Sequence, residues 1–354
     1  MLNEDCTFLD MKLKYVIGSV LLIVLGFFLF TLYKAGSFKS INPHSEGEIL
    51  GYIEDLQGPE DLDISYLNNI LFISSTDRRD TSRQGAIYAL DLDGVADPQL
   101  LIHDYQDSFH PHGISVFEQD SATYLHVVNH NNNGDFIEFF ELKNDSLFHF
   151  KSVESSLMCC PNDVLAIAPD QCYITNDHGN KSGFMRTLED YLTLPMSGIL
   201  YYDGKEISEA FTGMSYANGI NISRDGNYIY ATETTGRKML TFEVSEDGSL
   251  TKKNELSLQS GLDNIDVDLD GNIWIGSHPK LLAFVSHAKD KTVPSPSQVF
   301  KITPGKEDHL AYDVKEIYLN DGKELSGSSV ALYHENTLYI GVVFEPTILM
   351  LEMK

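Results

Sequence analysis

The sequence predicts an all-β protein, a six-bladed β-propeller behind an N-terminal membrane-anchor helix. Three observations carry this expectation: an uncharged apolar run near the start, almost no helical periodicity from there to residue 184, and a strand couplet that recurs six times. The elements follow in chain order. Residues 1–14 form a tail that carries Lys12 and Lys14, and residues 15–33, YVIGSVLLIVLGFFLFTLY, contain no charge. As a helix at 1.5 Å per residue that run spans roughly 28 Å, the thickness of a bilayer core. The following TLYKAGS lacks the small-residue pattern of a cleavage site. The segment therefore reads as an uncleaved signal anchor; a cleaved signal, giving a secreted protein, is the alternative. Lysines at 12 and 14, against a sparser Lys34 and Lys39, place the C-terminal bulk outside the cytosol, in a periplasmic, lumenal or extracellular space. Residues 34–47 form a linker, and residues 48–354 form the propeller.

Within that last span six segments share one character: NILFISS from 69, TYLHVVNH from 123, QCYITNDHG from 171, NYIYATE from 227, NIWIGSHP from 272 and NTLYIGVV from 336. Each follows a turn rich in Asp, Asn, Gln or Gly. Each turn follows another short apolar alternation: PEDLDI, PHGISV, PNDVLAI, ANGINI, DNIDV or SSVALY. A repeat of roughly 50 residues built from short strands is the size of a four-stranded propeller blade. Residues 184–195, FMRTLEDYLTLP, are the exception, with Phe184, Leu188, Tyr191 and Leu192 at helical spacing.

The balance of 25 Lys+Arg against 52 Asp+Glu, a formal charge of −27, excludes a nucleic-acid partner and charge-driven docking on an anionic membrane. It fits a solvated acidic surface, or a protein that lives with divalent cations. Cys6, Cys159, Cys160 and Cys172 have neither a disulfide-framework pattern nor zinc spacing. NDS at 144, NKS at 180 and NIS at 221 are glycosylation sequons.

Aligning the first halves of the couplets puts Glu60, His112, Asn162, Asn218, Asn264 and Ser328 in one column, beside Asp61, Asp163 and Asp263. In a propeller that column enters the innermost strand of each blade and faces the central channel. A buried ring of carboxylates and amides is costly unless something satisfies it. A hard cation with many oxygen ligands does so, which points to Ca²⁺ held by Glu60, Asn162, Asn218, Asp263 and Asn264. A water-filled channel of self-paired side chains is the bland alternative. His112 lies in the column, and His130 ends the next strand of the same couplet. Two such histidines could form a relay that makes one a general base. His178 and His278 also end strands and could line the same mouth.

These motifs, GPEDL, HPHGIS, VVNH, PNDV, TNDH, ANGINIS, LDNIDVD and GSHP in this order, resemble those of the paraoxonase/arylesterase family across residues 48–354. The resemblance implies calcium-dependent hydrolysis of lactones and esters on a six-bladed propeller. It implies two stacked calcium ions. The catalytic one would be held by Glu60, Asn162, Asn218, Asp263 and Asn264, and the structural one by Asp61, Asp163 and the backbone carbonyl of Ile114. It maps the family's proposed dyad onto His112 and His130, and makes the helix at 184–195 a cap that touches lipid, with Phe184 and Tyr216 in the substrate wall. No cysteine lies where animal members join the ends of the propeller, so closure must rely on strand pairing between EGEILGYIEDL and TILMLEMK. The expected activity is hydrolysis of a small lactone or aryl ester. The rivals are a non-catalytic propeller riveted by calcium that binds a partner, and a sugar-lactone hydrolase of the gluconolactonase type.

Overall fold

In a computed structural model, which describes residues 2–94, 97–101, 105 and 107–354 with side chains from residue 12 onward, the six couplets are the inner halves of six antiparallel sheets. The innermost strands are Pro59–Ser65, Pro111–Gln119, Pro161–Ala168, Ala217–Ile222, Gly261–Val267 and Ser328–His334. Each pairs with the strand that follows it, such as Ile70–Ser75 in blade 1 and Ile273–His278 in blade 5. These second strands are buried along nearly their whole length, because neighbouring blades cover both faces. That is why they read as continuous apolar runs. The outermost strands alternate or stand exposed, as Leu250–Ser257 of blade 4 does.

Closure follows the expected pairing. The strand Glu48–Glu54 lies antiparallel to the last strand, with Glu48 opposite Glu352 and Glu54 opposite Thr347, and so supplies the outer strand of blade 6. His44–Ser45 adds a short fifth strand to blade 5. The two ends of the propeller are thus held together by a sheet ladder.

Among the described residues three helices accompany the sheets. Helix α1, Leu2–Lys34, contains one stretch, Lys12–Lys34, long and apolar enough to cross a membrane. It stops at Gly36, whose φ of +71° suits glycine and whose missing Cβ would meet the Pro279 carbonyl at 2.2 Å. There the helix docks on the propeller. The Leu281 N–H donates to the Ala35 carbonyl (3.0 Å) and the Arg237 guanidinium to that of Lys34. Helix α2, Gly183–Leu192, is the one the spacing predicts; α3, Leu281–Lys289, is not foreseen. Its LLAFVSHAK is apolar on too many sides to show a stripe.

Neighbouring inner strands are clasped by short polar side chains. The Asp61 carboxylate accepts from Leu62 N–H of its own strand (2.9 Å) and Ile114 N–H of the next (2.7 Å), and Asp63 repeats this with Ile64 and Val116. Asp163 does the same with Val164 and Ile220. Asn221 donates its side-chain amide to the Ile265 carbonyl (3.0 Å), so this sequon asparagine is engaged within the fold. The clasps draw backbones so close that a Cβ on Gly219 would lie 2.6 Å from the Cα of Asn264. Gly219→Ala is therefore expected to destabilise by about 1–3 kcal/mol through overpacking, read as a lowered unfolding midpoint.

Candidate active site

In every blade the ladder between the first two strands is interrupted by a β-bulge, and the bulged residues are the column read from the sequence. The irregularities enclose Glu60, His112, Asn162 with Asp163, Asn218, and Asp263 with Asn264. A bulge bends the strand and re-aims its side chains, here toward the axis. In blade 6 the bulge falls on Ser329 rather than Ser328. Ser329 donates to the Glu60 carbonyl (2.6 Å), whereas Ser328 turns back to the carbonyls of Ser277 and Gln298. The sixth place in the column thus moves by one residue, a shift that plain strand periodicity cannot register.

The side chains so gathered are almost wholly buried: Glu60, Asp61, Asn162, Asp163, Asn218, Asp263 and Asn264 all lie at the axis with little solvent contact. Their amides are oriented in one sense. Asn218 donates its NH₂ to Thr234 Oγ1 (3.0 Å), and Asn264 donates to the carbonyl and Oε1 of Glu60 (both 3.1 Å). The side-chain oxygens of Asn162, Asn218 and Asn264 are left buried with no hydrogen-bond partner. Each such orphan costs about 1–3 kcal/mol. Among the described residues no group of three His, Cys, Asp or Glu side chains is poised to hold a metal. The donors here are mainly amide oxygens, and that chemistry suits a hard cation rather than zinc.

The charges fit the same description. Burial pushes the Asp61 carboxyl well above the usual range, and Asp163 and Glu60 beside it push further. Asp163 is raised likewise, by burial and then by Glu60, against the pull of its two amide donors. Burial also opposes ionisation of Glu60, but His112 and Arg78 outweigh it and hold that carboxyl near 2. His112 is itself lowered to about 4, by burial and then by Arg78. At neutral pH it is uncharged and can accept a proton. Arg78, 3.3 Å from Glu60, gave no signal in the sequence beyond its place after the second strand of blade 1.

His112 and His130 come together as expected, and a third group completes the chain. Asp135 Oδ1 lies 2.8 Å from His130 Nδ1, and His130 Nε2 lies 2.9 Å from His112 Nδ1. The network assigns the tautomers. Ionised Asp135 accepts from His130 Nδ1–H, which leaves His130 Nε2 to accept from His112 Nδ1–H. His112 Nε2 then carries a free lone pair at the mouth, 3.5 Å from Glu60. Burial would raise the Asp135 carboxyl, but His130 and Lys181, whose Nζ is 2.8 Å from Oδ2, keep it below its usual range.

The other sequence candidates take different places. His278 is buried behind Asp263, 2.7 Å from its Oδ2, and stacks on Phe284 of α3. His178 is gripped by Asp177 (2.6 Å) and by Asp190 of α2 (2.9 Å); burial opposes its charge, but the two carboxylates raise it to about 9. It is a charged latch between α2 and the propeller. Tyr216 sits at φ +60°, a conformation that costs a bulky residue about 1–3 kcal/mol, and its ring meets His178 edge-on at 4.7 Å. A cavity of about 270 Å³ opens here, walled by Ala35, His178, Tyr191, Tyr216, Leu281 and Phe284. Phe184 is not brought to it; that side chain is 74% exposed on the outer face of α2. Ile114 is tied to Asp61 by its backbone N–H (2.7 Å).

A propeller with a polar axial cluster at one mouth, a half-buried imidazole relay beside it and an apolar cavity lined by α2 and α3 defines a class of protein, and sequence comparison narrows it. The arylesterase family model matches residues 40–350, and the chain belongs to that family. It is 36% identical over 303 residues to chicken (Gallus gallus) serum paraoxonase/arylesterase 2, and 34% identical over 305 residues to the human (Homo sapiens) serum paraoxonase/arylesterase 1. Each match covers 81% of this chain and 84% of the relative. Among solved structures, a gluconolactonase from Xanthomonas campestris superimposes with a TM-score of 0.55 at 15% identity, over 89% of this chain and 96% of the other. That likeness is one of fold.

Proposed function

We propose that this protein is a membrane-anchored, calcium-dependent hydrolase of lactones and aryl esters. The observation that carries the reading is the meeting, at one mouth of the channel, of three unpartnered buried amide oxygens with the open Nε2 of a histidine relay. Family membership supports the reaction class, since the relatives are named for paraoxonase and arylesterase activity. Glu60, Asn162, Asn218, Asp263 and Asn264 would hold the catalytic ion. Asp61, Asp163 and the carbonyl of Ile114 would hold a second, structural one. Bound calcium supplies a Lewis-acid contact for the substrate carbonyl and for the oxyanion that develops from it.

The chain's own residues do the rest. His112 Nε2 takes the proton of the attacking water. Its Nδ1–H stays directed at His130, and the positive charge so formed is stabilised through His130 by Asp135. His278, bonded to Asp263, fixes the orientation of that carboxylate, as an outer-shell partner does for a ligand. The walls contributed by Tyr191, Leu281 and Phe284 favour an apolar acyl or aryl group over a sugar ring. Helix α1 and the exposed Phe184, Met185 and Tyr191 of α2 support attachment to a membrane, with the propeller on the extracytoplasmic side. The test is a panel of aryl esters, short- and long-chain lactones and gluconolactone, given to the full chain in detergent with calcium. Turnover of aryl esters or alkyl lactones in preference to gluconolactone is expected. Calcium-dependent folding with no turnover on any of them would leave a binding propeller instead.

A further inference from the structure

Cys159 and Cys160 are adjacent in the chain, just before the inner strand of blade 3, and their sulfurs lie 3.3 Å apart. Cys159 is partly exposed and Cys160 is buried. Cys160 is also a junction. Its carbonyl accepts from Asp177 N–H (2.9 Å), its N–H faces Asn176 Oδ1 (3.4 Å), and its sulfur accepts from Arg186 Nη1 of α2 (3.2 Å). Arg186 in turn lies 3.6 Å from Asp177. Asn162, with its orphaned oxygen, follows two residues later. Cys172 is unlike these two: it is fully buried in the apolar cluster with Val128, Ile137 and Phe139.

We propose that Cys159 and Cys160 form a reversible redox site, a vicinal dithiol that a disulfide-class oxidant closes into a disulfide between neighbouring residues. The more exposed Cys159 ionises and attacks one sulfur of the oxidant, expelling the other half as a thiolate. Cys160 then gives up its proton and displaces the second half from Cys159 Sγ. Two protons and two electrons leave the protein, and the oxidant departs as two thiols. Cys160 is the more buried of the two, which fits its role as the resolving rather than the attacking group. Across one trans peptide the Cα atoms stand about 3.8 Å apart, shorter than the roughly 4.4–6.8 Å that most disulfides span. The closed form is therefore readily reduced, as labile disulfides are. Closure draws the sulfurs from 3.3 Å to about 2.05 Å. That motion shifts the Cys160 contact with Arg186 and so loosens α2 beside the cavity. The site stands independently of the hydrolytic reading.

The test is differential alkylation of the full chain in detergent after exposure to oxidised glutathione, followed by cleavage before aspartates. Cleavage separates residues 145–162, which hold both thiols, from residues 170–176, which hold Cys172. The expected result is a 145–162 fragment that resists alkylation, is lighter by two hydrogens, and recovers two alkylatable thiols after dithiothreitol. Alkylation of both cysteines, glutathione retained on Cys159, or a cross-link to the 170–176 fragment would each overturn the proposal.

Discussion

His112→Gln is expected to lower hydrolysis of lactones and aryl esters by about 10²–10⁴-fold, the usual contribution of a positioned general base, while calcium affinity stays near that of the parent. Glutamine retains the polarity and much of the volume of the site, but it offers no basic nitrogen where His112 Nε2 stands 3.5 Å from Glu60. Asp135→Asn should act in the same direction without touching the axial cluster. An amide there can donate to His130 Nδ1, turn the imidazole to its other tautomer and remove the acceptor for His112 Nδ1–H. Parallel measurements of kcat and of calcium binding decide the matter. Equal loss of turnover and of metal binding in His112→Gln would make that histidine part of the ion's support rather than a base.

Removal of calcium is the second change with a large expected effect. An ion bound by the folded state alone contributes about 4 kcal/mol when its free concentration is a thousandfold above Kd. For a propeller of about 300 residues, with an unfolding entropy of about 2.1 cal/mol/K per residue, that amounts to a fall of roughly 6 °C in Tm on chelation. The pH dependence of the stripped protein has a definite sign. Asp61 and Asp163 have folded pKa values raised above their unfolded ones, and Asp63 is raised by burial to about 7. A raised carboxyl favours the folded state at low pH, and that contribution is lost as pH rises through the folded value. The chelated protein should therefore become less stable between about pH 4, the ordinary carboxylate value, and pH 7 and beyond. Glu60, held near 2, acts oppositely only below its ordinary value of 4.5. His112 and His126, both lowered to about 4, oppose the decline up to pH 6.5, so the fall is steepest above that pH. With calcium present the acidic cluster is neutralised and the decline should largely vanish. Thermal melts at several pH values, with and without chelator, measure both effects. A chelated protein whose stability rises over that window would contradict the crowding of carboxylates at the axis.

The architecture was legible in the chain because a propeller repeats its chemistry. Six similar couplets expose the blade period, and residues at one place in each couplet must meet at the axis. The pairing of Glu48–Glu54 with Thr347–Glu352 could be read because both segments are strand-like and stand at the two ends of the repeat, where the ring of blades must close. What the sequence left hidden depends on geometry finer than a period. Strand alternation does not announce a bulge, so Ser329 was missed in favour of Ser328. Asp135 opens the third strand of blade 2 and stands directly across the ladder from His130, a register fixed only once the hairpin between them folds. His178 ends a strand like the other histidines, yet Asp190 of α2 closes over it and makes it a charged latch. Arg78 is one of two adjacent arginines in STDRRD, and its pairing with Glu60 exists only once the loop folds over the channel.

The measurement that bears most directly on the central claim is hydrolysis of a reactive aryl ester by the full chain, followed through chelation and the return of calcium. The account predicts that activity disappears as the ion is withdrawn and returns with calcium but not with magnesium, which prefers fewer protein ligands and more water. Hydrolysis that persists undiminished after complete chelation would contradict it, because the amide oxygens of Asn162, Asn218 and Asn264 would then have no part in the chemistry.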